Sequence, residues 1–410
     1  AGAWCGQNKY LSAIKNAFQN FMPLTIAGAI GVLWCNVLVN ESTGLGIFFK
    51  PIMALEFLNP AFQAVNFCTI SCITVGITLG IAQEIGVWNM GAEKAGYIPG
   101  LVGLAAWLSV TNTSHMVEGA KEAFTGIAGN ELGATGLFTG MIIGVLSVEL
   151  FCFFEKQDAL KIKMPEQVPP GVARAFEVLV PATITLIITA CIGSACYNLT
   201  GLYLNDVIKN GIQGPLGAVG ATIPGVMIIY LVIMLFWLVG IHGNNMLSAV
   251  KEALFTPLAL ENVEKFNKGE KPTNIINMYA LQMWGEFGGS GVTIGLVIAI
   301  MIFGKREDNK AIATLSLVPG LFNINETVTF GIPMVLNPIL GIPFVFAPLV
   351  TIIIGYVLTV IGFCPVACLT VPWTTPPIVF GFLACGANVM GAVTQAILIV
   401  VSTVIYVPFL

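Results

Sequence analysis

The chain has 410 residues, 56% of them hydrophobic and only 9% charged, against about 25% charged in soluble domains. This excludes a soluble enzyme or a nucleic-acid-binding domain and points to an all-α, polytopic membrane protein. The net charge of −4 carries little information, because the placement of charges, not their sum, orients membrane helices.

The opening Ala1-Gly-Ala-Trp-Cys5 shows no signal-peptide pattern and reads as a trimmed or engineered start. An amphipathic lead-in at 9–20 precedes a first span at 21–39. The segment 44–58, with Lys50 and Glu56, reads as short or interfacial. Further apolar runs of spanning length follow at 64–88, 96–110, 132–154, 176–204 and 215–240. The C-terminal half adds 275–304, 312–340, 343–362 and 378–410, the last interrupted by Gly386-Ala-Asn388. About ten transmembrane helices are expected.

Basic residues cluster at Lys9/Lys15, at Lys156–Arg174, at Lys251–Lys271 and at Lys305–Lys310. All four regions are assigned to the cytoplasm. Residues 275–304 then begin and end on one side yet are too short for two full spans. A re-entrant hairpin bent at Gly285, Gly288, Gly289 and Gly291 resolves the conflict. Pro319, Gly320, Gly331 and Pro333 break 312–340 in the same way, so two re-entrant hairpins are expected in the C-terminal half.

The basic, proline-rich stretch 156–175 divides the chain into an N-terminal scaffold half, 1–155, and a transport half, 176–410. Gly76-x-x-x-Gly80 and Gly136-x-x-x-Gly140-x-x-x-Gly144 in the scaffold allow close helix approach. Most of the ten cysteines lie in apolar runs, where cysteine packs as a small hydrophobe. With only two histidines, a Cys/His metal site is not expected, and no cofactor is implied.

Three motifs bring polar chemistry to membrane depth, where irregular backbone must be buried in protein or line a watery cavity. In Pro319-Gly-Leu-Phe-Asn-Ile-Asn-Glu326 a carboxylate follows Asn323 and Asn325, and no Lys or Arg lies beyond Lys310 to pair with it. Such a carboxylate suits a hydrogen-bond acceptor or general base. Trp237-Leu-Val-Gly-Ile-His242-Gly-Asn244 sets an imidazole between glycines; a working group and a histidine merely satisfied at a helix end fit this pattern equally. Val371-Pro-Trp373-Thr374-Thr-Pro-Pro377 fixes a turn that presents an indole face, suited to a sugar ring or to a membrane interface. Thr374 is placed to bond a hydroxyl. His115, in Thr111-Asn-Thr-Ser-His115, reads as a loop residue.

The Asn-Ile-Asn-Glu326 motif and Phe-Gly-Ile-Pro-Met-Val-Leu-Asn-Pro338 after it closely resemble the enzyme IIC subunits of the bacterial phosphoenolpyruvate-dependent phosphotransferase system. The branch is that of lactose, cellobiose and diacetylchitobiose. Gly-Ile-His242-Gly, Gly-Gly-Ser-Gly-Val-Thr-Ile-Gly295, Met-Pro-Leu-Thr-Ile-Ala-Gly28 and Pro-Trp373-Thr match in the same order, while Thr327 stands where the family usually has Pro. The resemblance implies a homodimeric sugar permease of the bacterial cytoplasmic membrane, dimerising through its N-terminal helices. It implies that a separate enzyme IIB, fed by enzyme IIA, passes a phosphoryl group from a cysteine to the sugar's 6-hydroxyl. Glu326 and His242 would then be catalytic, and Asn323, Asn325, Asn244, Trp373 and Thr374 would bind the sugar. Cellobiose leads as substrate, ahead of diacetylchitobiose and lactose. An ion-coupled symporter using Glu326 and His242 as a proton relay is the competing reading.

Overall fold

The computed structural model describes all residues except 1–7, 42–45, 47–48, 116–123, 166, 333 and 335–336. It is helical nearly throughout. Among the described residues the sheet content is one antiparallel pair, Ser114–His115 with Phe124–Thr125, which places His115 in a two-residue strand instead of a free loop. The major helices are α1 (Lys9–Leu33), α2 (Ile73–Met90), α3 (Ile98–Val110), α4 (Ala134–Glu155) and α5 (Pro170–Thr200), then α6 (Ile223–Leu238) and α7 (Gly243–Asn267). They continue as α8 (Met278–Gly285), α9 (Ile294–Phe303), α10 (Glu307–Leu321), α11 (Glu326–Gly331), α12 (Gly341–Val360), α13 (Val379–Ala384) and α14 (Val389–Tyr406).

Five helical stretches are long and apolar enough to cross a membrane: Lys9–Leu38, Ala134–Glu155, Pro170–Thr200, Gly341–Val360 and Val389–Phe409. The pair Lys50–Ser71 and Ile73–Met90, bent by 42°, makes a sixth if read as one broken span; Ile98–Val110, Ile223–Leu238 and Ile294–Phe303 are apolar but shorter. The expected lead-in at 9–20 is not a separate element. It runs unbroken through Pro23 into α1 and on into a π turn, Trp34–Leu38. Of 44–58, Lys50–Leu58 forms a 3-10 helix with no buried residue, and 44–45 and 47–48 lie outside the described residues.

The chain divides into two compact units, and their boundaries depart from the division expected at 156–175. One comprises residues 3–24 and 68–216, the other 25–67 and 217–410. Helix α5, expected in the transport half, belongs to the first unit.

In the first unit α2, α3 and α4 pack on one another, with α5 against α3 and α4. Small residues set the spacing. A Cβ on Gly140 would lie 2.2 Å from Thr78 Oγ1, and one on Gly103 would lie 2.3 Å from Ala82 Cβ. Gly140 and Gly144 of α4 therefore let α2 approach closely at Thr78, inside this unit. Glu155, 1% exposed, closes the end of α4 by accepting from Lys94 at 2.8 Å and Arg174 at 3.0 Å. Arg174 also meets Glu177 at 2.7 Å. A buried carboxylate is tolerable when charges and hydrogen bonds compensate it in this way.

The second unit is built from broken helices. Its core is aromatic, with Tyr230, Trp237, Phe255, Trp284, Phe287, Phe344 and Tyr406 all buried. Helices α8 and α9 have 8 and 10 residues and are joined through the glycine-rich 286–293 segment. Helices α13 and α14 are separated by Gly386 and Ala387, whose φ angles of 72° and 58° end the first helix at the expected break. Every break frees backbone groups that hydrocarbon cannot satisfy. Buried amide side chains take them up. Asn277 caps α8 by accepting from Tyr279 N and Ala280 N, and donates to Ala367 O at 3.1 Å. Asn262 donates to Asn274 O and Ala367 O and accepts from Thr273 N and Asn274 N. Gln395 accepts from Ile378 N at 2.8 Å and Gly381 N at 2.7 Å, and donates to Met283 O at 3.2 Å.

Gln395→Leu strips partners from the buried Gly381 N–H and Met283 carbonyl, at about 1–3 kcal/mol each, and from the more exposed Ile378 N–H. The purified variant should melt well below wild type in detergent, whereas Val400→Leu, at a site 62% exposed, should not. An unchanged melting temperature for Gln395→Leu would show that these groups have other partners.

Candidate functional site

Four segments of the second unit converge: 240–244 between α6 and α7, 286–292 between α8 and α9, 323–326 at the start of α11, and 372–375 before α13. Each is irregular backbone fixed by specific bonds. Gly240 adopts φ 80°, and a Cβ on Gly243 would lie 2.0 Å from Ile233 O, so only glycine admits the tight return of α7 past α6. In the 286–292 turn Gly288, Gly289 and Gly291 all have positive φ, as does Val292 at 48°, a costly conformation for a β-branched residue. A Cβ on Gly289 would lie 2.7 Å from Asn325 Cβ. The turn is therefore pressed against the 323–326 backbone.

His242 and Glu326 face one another, with Nε2 3.8 Å from Oε1 and side chains 36% and 48% exposed. The histidine also caps α7: its Nδ1 accepts from Asn245 N at 3.2 Å. A neutral imidazole that accepts at Nδ1 carries its proton on Nε2, so the donor points toward the carboxylate. Trp237 packs against the ring in a tilted arrangement, with centroids 4.4 Å apart and planes at 47°. The helix-end reading of His242 thus describes its Nδ1 edge, and the Nε2 edge is left facing Glu326. A separation of 3.8 Å is too long for a direct hydrogen bond, but a hydroxyl oxygen can lie about 2.8 Å from both atoms.

The three asparagines expected to bind a ligand each have protein partners. Asn323, with φ 63°, accepts from Gly288 N at 2.6 Å and donates to Trp373 O and Thr375 O. Asn325 is 4% exposed and donates to Ser290 O at 2.7 Å. Asn244 donates to Ser290 Oγ at 2.9 Å and accepts from Lys251 Nζ at 3.2 Å. They tie the converging segments to one another. Trp373 sits at the second position of a turn closed by Thr375 N to Pro372 O at 2.9 Å. Its side chain is 43% exposed, and Thr374 beside it is half-buried. The flanking prolines produce the expected turn.

One charged group was misplaced by sequence reasoning. Lys251, grouped by sequence with a cytoplasmic basic cluster, lies two turns along α7 from Asn244 and is 6% exposed. Its ammonium pairs with Glu286, which also accepts from Tyr230 OH at 2.7 Å. The charge-cluster rule failed because this cation has a partner 35 residues away, invisible to a local count. The unusually polar Gln282-Met-Trp-Gly-Glu286 was the available signal.

The family description "Phosphotransferase system, EIIC" matches residues 15–348. The chain belongs to that family. It is 33% identical to the PTS system oligo-beta-mannoside-specific EIIC component of Bacillus subtilis (strain 168), covering 98% of this chain and 89% of that protein. It is 30% identical to the PTS system cellobiose-specific EIIC component of Lactococcus lactis subsp. lactis (strain IL1403), over 98% and 94%. The crystal structure of the transporter ChbC, the IIC component from the N,N'-diacetylchitobiose-specific phosphotransferase system, superposes with a TM-score of 0.90 at 30% identity, covering 99% of this chain and 94% of that one. This EIIC chain is thus a multi-pass, sugar-specific membrane permease component, working with IIB and IIA partners.

Removing one member of a buried ion pair strands the other, at about 3–5 kcal/mol. Lys251→Met should therefore lower the melting temperature of this EIIC sharply, and Lys251→Met/Glu286→Gln should recover most of the loss. Equal melting temperatures for the single variant and wild type would show that the pair is solvated.

Proposed function

We propose that this EIIC component binds a β-linked disaccharide, cellobiose foremost, with the reactive 6-hydroxyl between His242 and Glu326. The observation that carries the reading is the 3.8 Å gap between an imidazole donor and a carboxylate that has no Lys or Arg partner among the described residues. Two protein groups, one donor and one acceptor, are offered there to a single hydroxyl. Diacetylchitobiose, lactose and an oligo-β-mannoside remain in the test panel because relatives carry those specificities in their names.

A sugar hydroxyl is a poor nucleophile and needs a base. In the proposed step Glu326 accepts the O6 proton as O6 forms a bond to phosphorus. The bond from phosphorus to the cysteine sulfur of a separate IIB breaks, and the sulfur leaves as thiolate. His242 Nε2–H holds O6 in place. Trp373 offers its exposed face to the apolar side of a pyranose, and Thr374 a hydroxyl at its edge. Asn244, Asn323 and Asn325 act mainly by holding this frame. Translocation would move the sugar-binding elements as a body against a scaffold that dimerises through the N-terminal helices. The short α8 and α9 with their glycine turn, and the broken 307–331 region, serve as the re-entrant elements of the transport half.

Glu326→Gln should retain most sugar binding, measured by ligand-induced thermal shift, and lose sugar phosphorylation in IIB-supplied vesicles. The expected loss is about 100- to 10,000-fold, the worth of a general base. Phosphorylation at the wild-type rate would remove Glu326 from the chemistry. Trp373→Ala should weaken binding by about 1–3 kcal/mol, as for other stacking aromatics, while Trp373→Phe retains much of it. If both substitutions leave affinity unchanged, the indole faces the membrane interface instead.

A further inference from the structure

Ser290 holds a hydroxyl that donates to no acceptor among the described residues. Its side chain is 4% exposed. Its Oγ accepts from Asn244 Nδ2 at 2.9 Å, and its carbonyl accepts from Asn325 Nδ2 at 2.7 Å. Ser290 therefore lies between the residue two beyond His242 and the residue just before Glu326.

The direction of its proton is set from behind. Lys251 Nζ donates to Asn244 Oδ1 at 3.2 Å, and an ammonium has only donors to offer. The Asn244 amide therefore cannot flip without turning its NH₂ toward a cation, and its NH₂ must face Ser290. Ser290 Oγ is thereby made an acceptor on that side, and its single proton is left to point away from Asn244. Glu286, which accepts from Tyr230 OH, also holds Lys251. A buried hydroxyl proton with no acceptor is unfavourable, and a ligand oxygen in the neighbouring site would relieve it.

We infer that Ser290 is a specificity-determining donor to a hydroxyl oxygen of the sugar, aimed by Lys251 acting through Asn244 as a positioning residue. This rests on the reading that a disaccharide occupies the gap between His242 and Glu326. The turn's positive-φ glycines then have a purpose: they bring a serine, a residue with no bulk to spare, against the two segments that carry the reacting pair.

The test measures dissociation constants of purified full-length protein for cellobiose and for its series of monodeoxy analogues. Ser290→Ala should bind cellobiose roughly 5- to 10-fold more weakly, the worth of one neutral hydrogen bond. One deoxy analogue, discriminated against by wild type, should bind wild type and Ser290→Ala equally, because its missing hydroxyl is the one Ser290 serves. Lys251→Met/Glu286→Gln should show the same pattern, and adding Ser290→Ala to it should cost nothing more. If that charge-free variant does not fold, Ser290→Ala alone still decides. Unchanged affinities, or an equal loss for every analogue, would overturn the inference while leaving the disaccharide reading standing. A wild-type protein that binds no sugar of the cellobiose, diacetylchitobiose, lactose and mannobiose panel would overturn both.

Discussion

Hydrocarbon offers no water to an unpaired N–H or C=O, and the site-bearing unit of this protein is organised around that constraint. An unbroken helix satisfies its own backbone but presents little polar chemistry. The unit instead breaks its helices at 286–293, 322–325, 361–378 and 385–388, then assigns a buried side chain to the freed groups. Gln395 serves three of them from one amide. Asn262 and Asn277 share Ala367 O, and Tyr406 OH closes on Gly291 O at 2.7 Å. The side chains that hold the fold are thus of the same chemical type as those expected to hold a sugar, and only the bonding pattern tells them apart.

Charge is handled by the same logic. The first unit buries Glu155 at a helix end beneath Lys94 and Arg174, at the margin of a basic linker. The second unit buries a whole pair, Lys251 with Glu286, behind its site. Such a pair is weak evidence for stability, since desolvation opposes the attraction. Its value here is orientation, because a cation with only donors dictates which way the Asn244 amide faces. Glu326 is handled differently: its side chain is 48% exposed, no Lys or Arg is paired with it among the described residues, and His242 faces it across the gap.

What could be read in the sequence followed from periodicity and punctuation. The apolar runs gave α3, α4, α5, α6 and α12 to within several residues, and Gly386-Ala-Asn388 marked the break before α14. Asn-Ile-Asn-Glu326, Gly-Ile-His242-Gly and Pro-Trp373-Thr marked segments that converge in space. Two kinds of information were hidden. One was the partner of a charge: Lys251 looked like its loop neighbours because Glu286 is remote in sequence. The other was occupancy of hydrogen-bonding capacity. A sequence shows that Asn323 has an amide, but not that both ends of it are already engaged. The unit boundary was also hidden, since 25–67 cluster with the C-terminal segments through contacts that no composition shift records.

Asn323 has a consequence for how such proteins diversify. One carboxamide grips the glycine turn at 286–292, through Gly288 N, and the turn that presents Trp373, through two carbonyls. Glu326 lies three residues farther along the same chain. The surface that would receive the sugar ring and the group that would activate its hydroxyl are mechanically one piece. Inheritance can therefore not easily move one without the other. New sugar preferences within this lineage should arise by exchanging side chains around that rigid block, leaving the distance from ring to carboxylate untouched.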